Sequence, residues 1–558
     1  MLTGVGNMKK IPRILALSLT AMLLVGCSEN LPSSSEPATD VQSDTTTANT
    51  TEASTQAPTE ATSEADIPAA LPVISIQTKS SDPNAVKFVT EPVARHVSQA
   101  IASWTPNYVM PPAPYYEDCT VSISGADGTS LLAPCDAQVK VRGNWTTVYD
   151  KKPLRIKFAE KQEMLGLNGS AKQKNWVLLA EYKDASMLRN KTALYLSREI
   201  LGADGYYAAD CQFVHVEING DYYGMYLLAD MQQVGPHRVD VTKPESGYTG
   251  TDIGYLLEFD GNFGNEDELH GFPLTLADNA PLLAYNGSDD KVYARALPKN
   301  KADRVKPVGI TIKSDIYSKE QHDFIENYVN NVYTIMYEAA YNDKAFAFND
   351  RYTDISETTA LSPQQAVENV VDIQSLADMY IISELTCDAD IYWSSFYMDV
   401  DFGPDGNRKL TFEAPWDFDS AMGNKDRCID GTGYYASNIV PDVNGGKSGG
   451  GEYDSLNPWL VVLAHCDWYR DTVSKTWIRT SDSGVFERAY ALIENDKTQL
   501  QSDFEKNYQK WDNIRNNGDF ANELSAPARK CKNEAEAADF LLKWLKSRVG
   551  FMDSEFRK

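Results

Sequence analysis

An α+β fold is predicted for this chain by three observations. Alternating and β-branched runs dominate the first half of the folded part, 3.6-residue periodicity dominates the second, and a hairpin with a Gly/Pro/Asp/Asn turn is set among the helices. A length of 558 residues is enough for two or more lobes.

Taken in order, Lys9, Lys10 and Arg13 precede an apolar run from Ile14 to Val25, which ends Leu24-Val25-Gly26-Cys27. A basic start and a short apolar core make a secretory signal. Its ending resembles a bacterial lipobox, which implies lipidation of Cys27 and anchoring to the bacterial cell membrane, facing outside. Residues 28–66 carry eight acids, no Lys or Arg and almost no large apolar side chain, so a disordered tether is expected. The expected division is therefore residues 1–27, 28–66 and a folded unit over 67–558.

The formal charge is −27; the leader holds three basic residues and the tether eight acids, which leaves −22 on residues 67–558. That balance argues against nucleic acid and against anionic membrane surfaces, both of which reward Lys/Arg patches. Seven cysteines remain besides Cys27, none in a CxxC pair, so no zinc or iron–sulfur site is expected. Cys119 and Cys135 are close enough in sequence for a disulfide to close a short loop.

The β-rich part is expected from Val73 to Lys161. Within it Pro153-Leu154-Arg155-Ile156-Lys157-Phe158 alternates, placing Arg155 and Lys157 on one face. Trp176–Ala180 reads as a buried strand, and a helix is expected from Asp184 to Gly202. Phe213–Ile218 and Tyr223–Leu228 flank an Asn219-Gly220 turn, and Gly254–Asp260 is a further strand. Helical periodicity follows over 318–341, 372–386, 456–480, 484–512 and 533–548.

Chemistry is concentrated at the late hairpin. Ser394–Asp399 and Lys409–Ala414 flank the turn Gly403-Pro404-Asp405-Gly406-Asn407. An antiparallel hairpin returns the chain to its start, so Asp390, before the first strand, and Asp417, after the second, are expected side by side. Asp419 follows two residues on and shares a face with Asp417 if the backbone is extended. Three converging carboxylates suit a divalent cation and phosphoryl transfer. Asp417 and Asp419 sit among the apolar residues of Ala414-Pro415-Trp416-Asp417-Phe418-Asp419, where a carboxylate needs a cation or donor.

Other signatures fail. No HExxH occurs among the six histidines, and Gly446-Lys447-Ser448-Gly449-Gly450 matches GxSxG without a strand to feed it. Asp399, Asp401 and Asp405 lack the spacing of an EF-hand loop.

Several stretches together resemble the CotH family of secreted atypical protein kinases. They are Arg142-Gly143-Asn144, Lys152–Phe158, Trp176–Leu179, Leu188-Arg189-Asn190-Lys191 and Asn219–Tyr226, then Gly254–Glu258, Glu384-Leu385-Thr386, Asp390 and Pro415–Asp419. The resemblance implies a bilobal kinase-like fold with a β-rich first lobe and a helical second. It further implies transfer of phosphate from ATP, with Mg²⁺ or Mn²⁺, to Ser/Thr of an exported or cell-surface protein. In that picture Asp390 is the catalytic acid, Asp417 and Asp419 hold metal, and Lys157 and Arg142 contact the nucleotide. Glu199 is a candidate partner for the lysine, and Arg142 and Arg189 fit either nucleotide contacts or structural ion pairs. Ser395 stands where kinases often place a metal-binding asparagine, a departure that puts activity in doubt. A degenerate kinase fold that binds cell-wall polymer or a partner protein is the competing function, and a metal-dependent transferase using ATP on another acceptor is a third.

Overall fold

Seven strands of the N-terminal part close on themselves. They are β1 (Val73–Thr78), β2 (Glu117–Ser124), β3 (Ser130–Val141), β4 (Leu154–Gln162), β5 (Gln173–Leu179), β6 (Cys211–Ile218) and β7 (Asp221–Ala229). Their order is β1-β2-β3-β4-β5-β7-β6, and β6 pairs with β1 in parallel to complete a barrel. The structure, a computed structural model, describes residues 71–558 except 81, 83, 262, 277–279, 289–291, 296–308, 389, 393, 426–427, 439–456 and 519. The leader, Cys27, the tether and the 446–450 loop lie outside the described residues.

Alternation builds the barrel. Ile74 and Ile76, Val139 and Val141, Leu154, Ile156 and Phe158, Trp176 and Leu178 all point inward and form one core. The opposite face of β5–β7, with Val177, Leu179, Phe213, Met225 and Leu227, joins a second core shared with the helices. The β-rich beginning and helical end agree with the α+β expectation. Closure departs from the kinase lobe that the resemblance implied: β1 pairs with β2 on one side and β6 on the other, so neither edge is left open. The barrel register also separates Cys119 from Cys135. Cys119 faces Ala137 and Cys135 faces Val121, a diagonal relation, and each thiol lies against a carbonyl of its own strand. Diagonal neighbours are ~7–8 Å apart, beyond the ~3.5–4.5 Å between Cβ atoms that a disulfide needs.

The second sheet runs β16-β15-β8-β12-β9, from β8 (Gly254–Asp260), β9 (Gly271–Pro273), β12 (Gly309–Ile312), β15 (Phe396–Asp401) and β16 (Thr411–Phe412). Two small hairpins are separate from it, β10 (Leu282–Ala284) with β11 (Val292–Arg295) and β13 (Phe346–Phe348) with β14 (Ile355–Glu357). All seven residues of β8 are buried.

The main helices are α1 (Arg95–Trp104), α2 (Arg189–Gly202), α3 (Lys319–Asn342), α4 (Ile373–Thr386), α5 (Asp467–Asp482), α6 (Val485–Gln499), α7 (Gln501–Lys510) and α8 (Glu534–Phe556). From Ser375 onward α4 is buried all round, its apolar residues lying on every side as in a central helix. Its Glu384 is paired with Arg548 of α8, both fully buried. The α2 helix starts five residues later than the sequence predicts. The Asp184 carboxylate accepts the backbone N–H groups of Ser186 and Arg189, which folds 184–188 as a loop before the helix. Among the described residues no helix is long and apolar enough to cross a membrane.

Candidate active site

The hairpin pairs Met398 with Phe412 and Asp399 with Thr411. Asp390 opens a short 3₁₀ turn ahead of β15, while Asp417 lies beyond β16 with left-handed backbone (φ 66°, ψ 56°). Their carboxyl groups hydrogen-bond to each other. The Asp417 conformation is costly for a residue with a Cβ, on the order of 1 kcal/mol, so neighbours must hold it. Asn190 does so: its Oδ1 accepts the Phe418 N–H at 2.8 Å, and its Nδ2 donates to Glu181 at 3.0 Å.

That left-handed residue corrects one expectation. The backbone after Asp417 is not extended, because Phe418–Ser420 forms another 3₁₀ turn. Asp419 therefore turns toward Lys183, whose Nζ lies 2.9 Å from its Oδ1. Lys183 also donates to Ser420 Oγ at 2.7 Å and stands 3.8 Å from Glu523, which accepts from Tyr149 and Trp145. Burial alone would lower the Lys183 ammonium, but the charges of Asp419, Tyr149 and Glu523 hold it well above the usual lysine value.

Burial raises both central acids. Asp390 is raised mainly by loss of solvent and by Asp419, against the opposing charges of Lys425 and Lys183. Asp417 is raised far more, by burial and then by Asp390 and Asp419, opposed by Lys183 and Arg142. Asp388 is fully buried and accepts the Asp390 N–H at 3.1 Å, and it too is held well above the carboxylate range, by burial and then by Asp390.

The other sequence candidates fall in different places. Arg142 is at the site, with its guanidinium 5.8 Å from the Trp416 ring and its charge acting on Asp417. Gly143 behind it has φ +96°, and a Cβ there would meet Thr146 Oγ1 at 2.4 Å, so glycine is required. Lys157 is elsewhere. Because Leu154, Ile156 and Phe158 fill the barrel, Lys157 points outward, exposed beside Tyr116, and the lysine set against the carboxylates is Lys183. Glu199 pairs with Arg488 and not with a site lysine. Arg189 forms a buried ion pair with Asp184 and donates to the Met422 carbonyl, a structural role. Ser395 donates its backbone N–H to Glu258 at 2.8 Å.

Sequence reasoning missed Lys183, Lys425, Asn190 and Glu523. Lys183 carried a usable signal, lying between a buried strand and a helix in Glu181-Tyr182-Lys183-Asp184; nothing local marks Glu523, more than 100 residues beyond the acids it serves.

Five carboxyl groups (Asp388, Asp390, Asp417, Asp419, Glu523) face three cations (Lys183, Lys425, Arg142), an excess of two negative charges when all ionise. Asp388 Oδ2 and Asp390 Oδ1 are buried with no hydrogen-bond partner. Both facts fit a divalent cation, whose charge matches the excess and whose ligand shell takes oxygen atoms. Asp417 is the residue placed to hold it, beside Asp390, with Asp419 available if Lys183 releases it. Among the described residues, the one His/acid group with ligand atoms mutually within 4.8 Å is His322, Asp323 and Glu326 on the surface of α3, where Lys319 already pairs with Asp323.

An acid pair and a buried lysine are the kinds of group on which phosphoryl transfer draws. The family model described as CotH kinase protein matches residues 139–552, and the chain belongs to that family. The match spans most of the chain and carries a kinase-like function in general terms. No curated protein matches the chain.

Proposed function

We propose that this protein is a phosphotransferase that uses ATP with Mg²⁺ or Mn²⁺ to phosphorylate Ser or Thr of exported or cell-surface proteins, and that it is lipid-anchored through Cys27. The observation that carries the reading is the hydrogen-bonded Asp390–Asp417 pair beside the Asp419–Lys183 ion pair. Asp390 is the group that takes the proton from the acceptor hydroxyl, since its Oδ1 is buried with no donor of its own. Asp417 and Asp419 would hold the cation, which when bound supplies neutralisation of the nucleotide phosphates. Lys183 and Arg142 set positive charge where the transferred group becomes more anionic. Lys183 is held by Ser420 and Glu523 as well as by Asp419, so it keeps its place when Asp419 turns to the cation.

The test is label transfer from γ-labelled ATP to the protein itself and to a generic Ser/Thr acceptor, with either cation, using residues 28–558 and an Asp390→Asn variant. Label on Ser or Thr that disappears in the variant is the expected result. A folded protein that binds nucleotide yet transfers nothing under either cation would refute the reading.

A further inference from the structure

We propose that Cys387 and Cys428 are a disulfide-forming pair that closes a covalent ring around the site. Cys387 caps α4 in left-handed conformation (φ 47°), with its thiol 3.4 Å from the Glu384 carbonyl. Cys428 is also left-handed (φ 42°), with its thiol 3.9 Å from the Gly433 carbonyl. Arg548 spans the same two carbonyls, donating through Nε to Glu384 at 2.8 Å and through Nη1 to Gly433 at 2.5 Å. Trp544 fixes the Cys428 backbone from the same helix, its Nε1 donating to the Cys428 carbonyl at 2.7 Å. The two thiols are near enough to act on each other across this arrangement.

Access is asymmetric. Cys387 is 1% exposed, whereas Cys428 is only partly buried. The nearby Cys387 thiol favours the Cys428 thiolate, and so does the Arg548 charge, although burial opposes both. Cys428 is thus the sulfur that meets an external oxidant first. Its thiolate attacks one sulfur of a disulfide-bearing oxidant, such as oxidised glutathione or a thiol–disulfide oxidoreductase, and expels the other sulfur as a thiolate. Cys387 then loses its proton and attacks the mixed disulfide at Cys428, which releases the second oxidant sulfur. One S–S bond forms in the protein, and the oxidant leaves as two reduced thiols. The ring from 387 to 428 holds Asp390, Asp417, Asp419 and Lys425, so the bond ties together the two ends of the segment that supplies the acids. The inference does not rest on the kinase reading.

The experiment is peptide mapping of the folded protein without reduction, after exposure to oxidised glutathione and alkylation of the remaining thiols. Trypsin leaves Cys387 alone in peptide 352–408 and Cys428 alone in 428–447. The expected result is a cross-link between these peptides, absent in Cys428→Ser, with the other cysteines alkylated. Recovery of both as free alkylated thiols, as separate glutathione adducts, or cross-linked elsewhere would overturn the proposal. So would a cross-link that forms only in denatured protein.

Discussion

Lys183 Nζ lies 2.9 Å from Asp419 Oδ1, with both side chains largely shielded from water. The family resemblance pointed instead to Lys157, which the barrel turns outward. The two lysines give opposite expectations. Lys183→Met leaves Asp419 without its cation and removes a fixed charge from the transfer site, so phosphoryl transfer should fall by about 10²-fold or more. Lys157→Ala should leave the rate within about twofold. Initial rates of both variants, with melting curves to confirm folding, decide the matter.

Asp390→Asn keeps the shape of the turn and removes the proton acceptor. Transfer should drop by about 10²–10⁴-fold. Nucleotide affinity, measured by calorimetry, should stay close to wild type.

Asp417→Ala should act on binding. Metal-dependent nucleotide affinity should weaken markedly, and an unchanged affinity would remove Asp417 from the metal site. Since Asp417 is held well above the carboxylate range by burial, the same variant should not lose stability near neutral pH without metal.

Acids outside the site add to the pH dependence of stability. Burial is the main cause that raises Glu413 and Glu266 to about 7 and Glu534 and Asp378 to about 8. In the unfolded chain such groups titrate near 4. Between about pH 5 and 7 the folded protein therefore holds protons that the unfolded chain has released, and stability falls as pH rises. Lys151 and Lys152, lowered by burial to about 7 and about 8, have the opposite slope, and it sets in only above that window. Thermal melts should give a higher midpoint at pH 5 than at pH 7, with the difference reduced in Glu413→Gln, whose own contribution is on the order of 3 kcal/mol.

Arg548→Met should be severely destabilising. It strands Glu384, fully buried on α4, and removes a donor to two backbone carbonyls. A loss of about 3–5 kcal/mol is expected from denaturant unfolding.

What the sequence disclosed follows from the range over which its signals act. The hairpin around Gly403–Asn407 was readable because turn residues and alternation are local, and with it came the closeness of Asp390 and Asp417. The left-handed backbone of Asp417 was not readable, since Asn190, more than 200 residues earlier, supports it through the Phe418 N–H. Barrel closure was hidden for a similar reason: the β1–β6 pairing joins segments some 140 residues apart. Alternation in β4 correctly put Arg155 and Lys157 on one face but could not say which face met the site.

The parallel β1–β6 pairing has a mechanical meaning. β1 is the first strand among the described residues and is hydrogen-bonded along both sides, antiparallel to β2 and parallel to β6. A pull on the chain ahead of Val73 meets two ladders loaded in shear, whose bonds must fail together and cannot unzip one at a time. The fold thus grips its own N-terminal lead as a rope is held between two clamps, and drag on the body is borne by the barrel before it reaches the acids.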